Sequence, residues 1–166
     1  SSDVCSSDLG TTAVITVTRG DTIIVGNIGD SRITRGYSEG DKMVAVALSD
    51  DHKPDRPDEK ARIRDRGGRV FAVKYDDGID GPPRVWLGHE DVPGLAMARS
   101  LGDTVAHQAG VISDPEFTSH TFTDADKYLV LASDGLWEFM TDQEVIDIMA
   151  TQTEPRRSVD LLIKEA

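Results

Sequence analysis

Apolar residues recur along most of this chain in short, dense runs divided by turn-forming residues. Thr12 to Thr18 is rich in β-branched residues and predicts a strand; Thr22 to Ile28 predicts a second. The turn signal Arg19-Gly20-Asp21 between them predicts a hairpin with a three-residue loop. Their runs, Ala13-Val14-Ile15 and Ile23-Ile24-Val25, do not alternate cleanly, as expected of strands between two packed layers. Ser31 to Arg35 predicts a short strand, Gly36 to Lys42 a polar turn and Met43 to Leu48 a further strand.

The period then changes. Pro57 to Arg66 predicts a helix, with Pro57, Asp58 and Glu59 suited to its first turn and Gly67-Gly68 to its end. Ala61 and Ile63 supply little apolar area, so this helix is expected on the surface. Arg69 to Lys74 predicts a strand and Asp76 to Pro83 a loop. Ala96-Met97-Ala98 is read as the opening of a short helix stopped by Gly102. Phe117 to Phe122 and Tyr128 to Ala132 predict antiparallel strands around the acidic turn Thr123-Asp124-Ala125-Asp126. Thr141-Asp142-Gln143-Glu144 is a capping-box pattern ahead of an apolar face of Val145, Ile148 and Met149. Arg157 to Glu165 predicts a last helix with Val159, Leu162, Ile163 and Ala166 on one side. Many strands followed by a few helices argue for an α+β fold of antiparallel sheets covered by helices. The absent βαβ rhythm argues against a doubly wound nucleotide-binding sheet.

Composition narrows the function classes. The chain has 166 residues, enough for one domain with a core, and a formal net charge of −12. Such a surface repels nucleic-acid backbones and anionic membranes. The basic stretch Lys60, Arg62, Arg64, Arg66 and Arg69 is broken by Glu59 and Asp65 and reads as a solvated helix face. The lone Cys5 excludes an internal disulfide framework, and no apolar stretch approaches membrane-spanning length. Residues 1–9 form a polar tail without the pattern of a signal peptide and are left unassigned, with an origin foreign to the domain as one reading.

Two carboxylates stand where apolar strands end. Asp30 follows Gly29, and Asp134 follows Leu129-Val130-Leu131-Ala132-Ser133. A carboxylate leaving the core must be exposed, hydrogen-bonded, paired or metal-bound, and hard divalent ions prefer such oxygens. Spacing alone leaves a turn-capping role open for both. Glu138 lies four residues after Asp134, so a helical turn would face both toward one cation, whereas a turn at Gly135 would leave Glu138 in solvent. His52, His89, His107 and His120 are scattered without zinc-ligand spacing, and Cys5 has no visible base for nucleophilic chemistry.

Several ordered motifs carry a resemblance. They are Gly10-Thr11-Thr12-Ala13, Val25-Gly26-Asn27-Ile28-Gly29-Asp30-Ser31-Arg32 and Asp51-His52-Lys53-Pro54, followed by Glu59, Arg62-Ile63 and Gly67-Gly68. Pro93 to Asp103, Val111 to Glu116 and Leu131-Ala132-Ser133-Asp134-Gly135-Leu136-Trp137-Glu138 complete them. In this order they resemble the type 2C family of metal-dependent protein serine/threonine phosphatases. The resemblance implies a sandwich of two antiparallel sheets flanked by helices (αββα), incomplete in this chain. It implies hydrolysis of phosphoserine and phosphothreonine in proteins by water activated between two Mg2+ or Mn2+ ions, without a phosphoenzyme. Residue by residue, it makes Asp134 the principal catalytic metal ligand and Asp30 a ligand of an additional, weaker metal position. Glu138 stands where the family commonly has Asp, with a longer arm toward that outer metal. Arg99 is a candidate for substrate phosphate, while Arg32, Asp103 and His52 brace the architecture.

The family's early acidic pair, phosphate-binding arginine and Asp-Gly-His-Gly motif are not found before Gly10, nor its late Asn-Asp pair before Ala166. Residues 10–166 are therefore expected to be a partial phosphatase domain, inactive in isolation. Expected partners are phosphorylated proteins, with no nucleic acid or membrane, and the complete form is expected to be monomeric and cytoplasmic or nuclear. The alternative is a catalytically inactive phosphatase-like binding module.

Overall fold

The computed structural model describes residues 9–74 and 80–166; Cys5 and the rest of the polar tail before Leu9 lie outside the described residues. In chain order, the strands of the first part are β1 (Gly10–Thr11), β2 (Ala13–Arg19), β3 (Thr22–Ile28), β4 (Arg32–Glu39) and β5 (Lys42–Ala47). Helix α1 (Pro57–Asp65) leads to β6 (Arg69–Lys74), β7 (Asp80–Trp86), β8 (Pro93–Leu95) and β9 (Leu101–Gly102). Helix α2 (Thr104–Gln108), β10 (Glu116–Thr121) and β11 (Asp126–Ala132) precede α3 (Asp134–Trp137), α4 (Asp142–Ala150) and α5 (Pro155–Glu165). The chain divides into two compact units.

The unit made of residues 14–27, 31–50 and 116–166 carries two three-stranded antiparallel sheets, β10-β3-β2 and β11-β4-β5. Ile23 and Val25 of β3 pack with Ile33 of β4, joined by Val14 and Leu129, so the sheets share one apolar layer. The opposite face of β11 presents Tyr128 and Val130 to Trp137, Val145, Met149 and Leu162, which lays the C-terminal helices over the second sheet. Strand alternation produces both results: Leu129 faces one layer and its neighbours the other. This arrangement of antiparallel sheets with helices is the expected α+β class.

The other unit holds residues 9–13, 28–30 and 51–115 with the strand pair β1-β9 and the sheet β6-β7-β8. Its core is Ile63, Val85, Ala98, Ala106, Ala109 and Val111.

Several local expectations are corrected. The hairpin turn is the residue pair Gly20-Asp21, with Gly20 at φ +59, and Arg19 remains in β2. Gly36 is not a turn residue but lies inside β4, because a Cβ there would stand 2.8 Å from Ile146. Helix α1 lies at the surface as expected, with Pro57, Asp58, Ala61, Arg64 and Asp65 exposed, but its inner face buries Ile63 and Glu59 fully. The Asp76–Pro83 loop is expected where β7 begins at Asp80; of that span, residues 76–79 lie outside the described residues. Ala96-Met97-Ala98 opens no helix, and the short helix comes after Gly102 instead, as α2. The two strands flanking the acidic turn do not pair with each other; β10 pairs with β3 and β11 with β4. In α5 only Leu162 of the expected apolar side is buried, while Val159 and Ile163 are exposed.

Candidate functional site

Asp134 opens the single turn of α3, directly after β11 delivers the chain out of the sheet. Its side chain is exposed. Trp137 anchors that turn: its ring is buried, and its indole N–H donates to the Ala132 carbonyl at 2.9 Å and the Arg32 carbonyl at 3.2 Å. The Arg32 guanidinium lies 5.4 Å over the same ring and pairs with Asp142 at 3.0 Å. The Glu138 amide donates to the Asp134 carbonyl at 2.9 Å, so the segment does turn as a helix and both carboxylates emerge on adjacent rungs. Glu138 is exposed and lines a cleft of about 280 Å³ with Arg32, Trp137, Phe139, Met140 and Asp142. Gly135 thus belongs to a helical turn rather than a tight loop.

Asp30 and Arg99 belong to the other unit. Asp30 is buried and its Oδ2 receives the Lys53 ammonium at 2.6 Å. Gly29 sets its position. With φ +96, and with Thr12 Cγ2 only 2.4 Å from where a Cβ would stand, no side chain fits there. The Gly29 amide donates to His52 Nδ1 at 3.0 Å, and the His52 amide donates back to the Gly29 carbonyl at 3.0 Å. His52 is fully buried and braces this loop, as Arg32 braces α3.

Arg99 is 8% exposed and its guanidinium points inward. Nε and Nη2 donate to Glu59 Oε1 at 3.0 and 2.6 Å, and Nη1 donates to the Asp114 carbonyl at 2.9 Å. Arg62 donates to Glu59 Oε2 at 2.6 Å and Arg56 to Oε1 at 3.0 Å. Burial pushes the Glu59 carboxyl up, but the hydrogen bonds and charges of Arg62 and Arg99 outweigh it and hold it below its ordinary value. Beside it, the Arg56 hydrogen bond lowers Asp58 to about 2. The role of Glu59 as the centre of three arginines was not foreseen, although its i, i+3 spacing from Arg56 and to Arg62 on α1 was a readable signal. Lys53 stood inside a recognised motif without an assigned task.

Asp134 and Glu138 offer exposed carboxylate oxygens just after a strand exit, the donor type that hard divalent cations prefer. No helix among the described residues is long and apolar enough to cross a membrane.

The family profile described as protein phosphatase 2C matches residues 1–166. The chain is 45% identical over 158 residues to probable protein phosphatase 2C 52 of Arabidopsis thaliana, covering 95% of this chain and 33% of that protein. It is 43% identical to probable protein phosphatase 2C 12 of Oryza sativa subsp. japonica, again over 95% of this chain and 40% of the relative. It therefore spans about a third to two fifths of the length of these relatives. Among solved structures, serine-threonine phosphatase 2C from Toxoplasma gondii superposes with a TM-score of 0.79 at 26% identity, over 94% of this chain and 52% of that one. A C. elegans sex determining protein shares the fold with a TM-score of 0.74 at 20% identity, over 95% and 37%.

Proposed function

Because this chain belongs to the protein phosphatase 2C family, we propose that it forms part of a metal-dependent hydrolase of phosphoserine and phosphothreonine in proteins. The observation that carries this reading is the exposed Asp134 carboxylate held at a strand exit by the buried Trp137. Asp134, Glu138 and Asp30 are the proposed ligands of Mg2+ or Mn2+, two ions in the complete domain, with Asp134 the catalytically essential one. When bound, the ions supply a water of lowered pKa and offset charge on the phosphoryl oxygens. Asp134 contributes an anionic oxygen from a backbone turn whose place the two indole hydrogen bonds of Trp137 hold. Glu138 adds a second oxygen on the next rung.

For Arg99, a contact with substrate phosphate was the initial expectation. Its donors to Glu59 and Asp114 favour a positioning role, in which it ties α1 to the segment around residue 114. Substrates are proposed to be phosphorylated proteins, met in the cytoplasm or nucleus.

The test is manganese-dependent phosphate release from a phosphothreonine peptide by the full-length protein. Asp134→Asn is expected to lower turnover about 100-fold or more, the scale of losing one preorganised electrostatic group. Equal rates with the metal chelated would remove the reading. The 166-residue chain alone is expected to show negligible turnover in the same assay. The longer Glu138 in place of the family's usual Asp keeps a second reading alive, a catalytically inactive binding module. It predicts phosphopeptide binding with no phosphate release by the full-length protein.

A further inference from the structure

Among the described residues, Lys53 is the cation seated on a proposed metal ligand. The Asp30 carboxylate is 3% exposed, and the ammonium sits 2.6 Å from its Oδ2. The pairing is built into the backbone. His52, the residue before Lys53, is tied to Gly29 through both its ring and its amide, and Gly29 precedes Asp30. The Ala98 amide donates to the His52 carbonyl at 2.7 Å, clamping the same residue from another side. The backbone beside Lys53 is therefore held next to Asp30, and the lysine spans the remaining distance with its side chain alone. Its side chain is still 36% exposed, which leaves it a route outward into solvent.

We propose that Lys53 is a built-in counter-cation that a divalent ion must displace to bind Asp30, and that it thereby sets the metal affinity of that carboxylate. The proposal rests on Asp30 being a metal ligand, as argued above. An ammonium and a hard dication make the same demand on one buried carboxylate oxygen. Held side by side within about 4 Å, the two cations would repel by several kcal/mol at the effective dielectric of a protein surface, so one must leave. The lysine is the mobile partner, with a flexible four-carbon stem and a solvent exit. An unoccupied Asp30 is meanwhile never left as a lone buried charge. The exchange involves no covalent step: the carboxylate trades one cation for another, and the ammonium is rehydrated with its proton retained.

The test uses the 166-residue chain and manganese, read as bound Mn2+ by electron paramagnetic resonance and water-proton relaxation. Asp30→Asn is expected to weaken manganese binding. Lys53→Met should bind manganese about fivefold or more tightly than the native chain, with the gain absent in the double variant K53M/D30N. Lys53→Arg should keep near-native affinity. Lys42→Met, which removes an exposed charge with no ion pair among the described residues, should leave it unchanged. Should K53M fail to fold, the native chain carries the test: manganese should speed acetylation of Lys53 by an amine-reactive reagent, whereas in D30N that rate should be high and metal-independent. Unchanged affinity in K53M, or tighter binding with no change in Lys53 reactivity on adding manganese, would overturn the displacement while leaving the metal reading intact. A D30N variant that binds manganese like the native chain would instead remove the metal role of Asp30 itself.

Discussion

Single side chains here are held by charge more than by area. Glu59 is a fully buried carboxylate on which three guanidinium groups converge. Removing the shared anion would leave Arg99 facing a neutral amide. Glu59→Gln is expected to destabilise the chain by about 2–3 kcal/mol in urea unfolding. That is somewhat less than the ~3–5 kcal/mol of a fully enclosed pair, because Arg56 and Arg62 keep 20% and 19% exposure. The same group sets a pH dependence. Asp126 behaves alike: burial raises it, but the Thr123 amide, His120 and Arg35 together hold it well below the usual carboxylate range. A carboxylate lowered in the folded state contributes stability that is fully present above its unfolded pKa and lost as pH falls through the folded one. The urea midpoint should therefore be nearly flat from pH 7 to about 5 and drop below about 4, where unfolded carboxylates begin to bind protons. E59Q should flatten part of that drop, and an unchanged acid profile in E59Q would refute the assignment of this pH dependence to Glu59.

Elements were legible where local chemistry and packing agree. The capping box at Thr141 forms as its sequence implies, with Thr141 and Glu144 bonded reciprocally. Strands β2 and β3 follow from their β-branched runs, and β6 and β11 from short apolar ones. Gly36 was misread because glycine signals a turn by conformation but also serves where two elements touch. Here α4 lies on β4, and Ile146 fills the space a side chain would need. Gly36→Ala should accordingly cost about 1–3 kcal/mol as an overpacked contact, measured by thermal or urea unfolding. The shorter Ile146→Val in the same chain should recover part of it. A neutral G36A would show that Ile146 gives way to the added methyl, and would remove the overpacking argument. Partner choice among strands was the other blind spot. β10 and β11 are consecutive, yet their hydrogen bonds go to β3 and β4, a long-range decision that no local pattern encodes. The candidate site divides in the same way. Asp134 and Glu138 lie within one motif of eight consecutive residues, Leu131 to Glu138, whereas Lys53 on Asp30 and Arg99 on Glu59 span 23 and 40 positions.

At the scale of the molecule, each unit closes its own core, and the sheet β10-β3-β2 leaves one face in solvent. Ile24 and Gly26 of β3 stand opposite Ser119 and Phe117 in the ladder, so they share a face; Phe117 lies across Gly26 and is 70% exposed. Ile15 and Val17 of β2, two residues apart and thus on one side of their strand, are also exposed. The inner face of the same sheet is the apolar layer around Ile23 and Val25, so alternation assigns these residues to the outer face. A contiguous apolar sheet face in water favours association. The 166-residue chain is therefore expected to self-associate as its concentration rises, seen by light scattering. The double variant V17T/F117S should shift it toward monomer while changing unfolding free energy by less than about 0.5 kcal/mol, since neither side chain belongs to a core cluster. A native chain that stays monomeric throughout would show that the strand twist and the polar neighbours Arg19 and Ser119 already keep this face in solution.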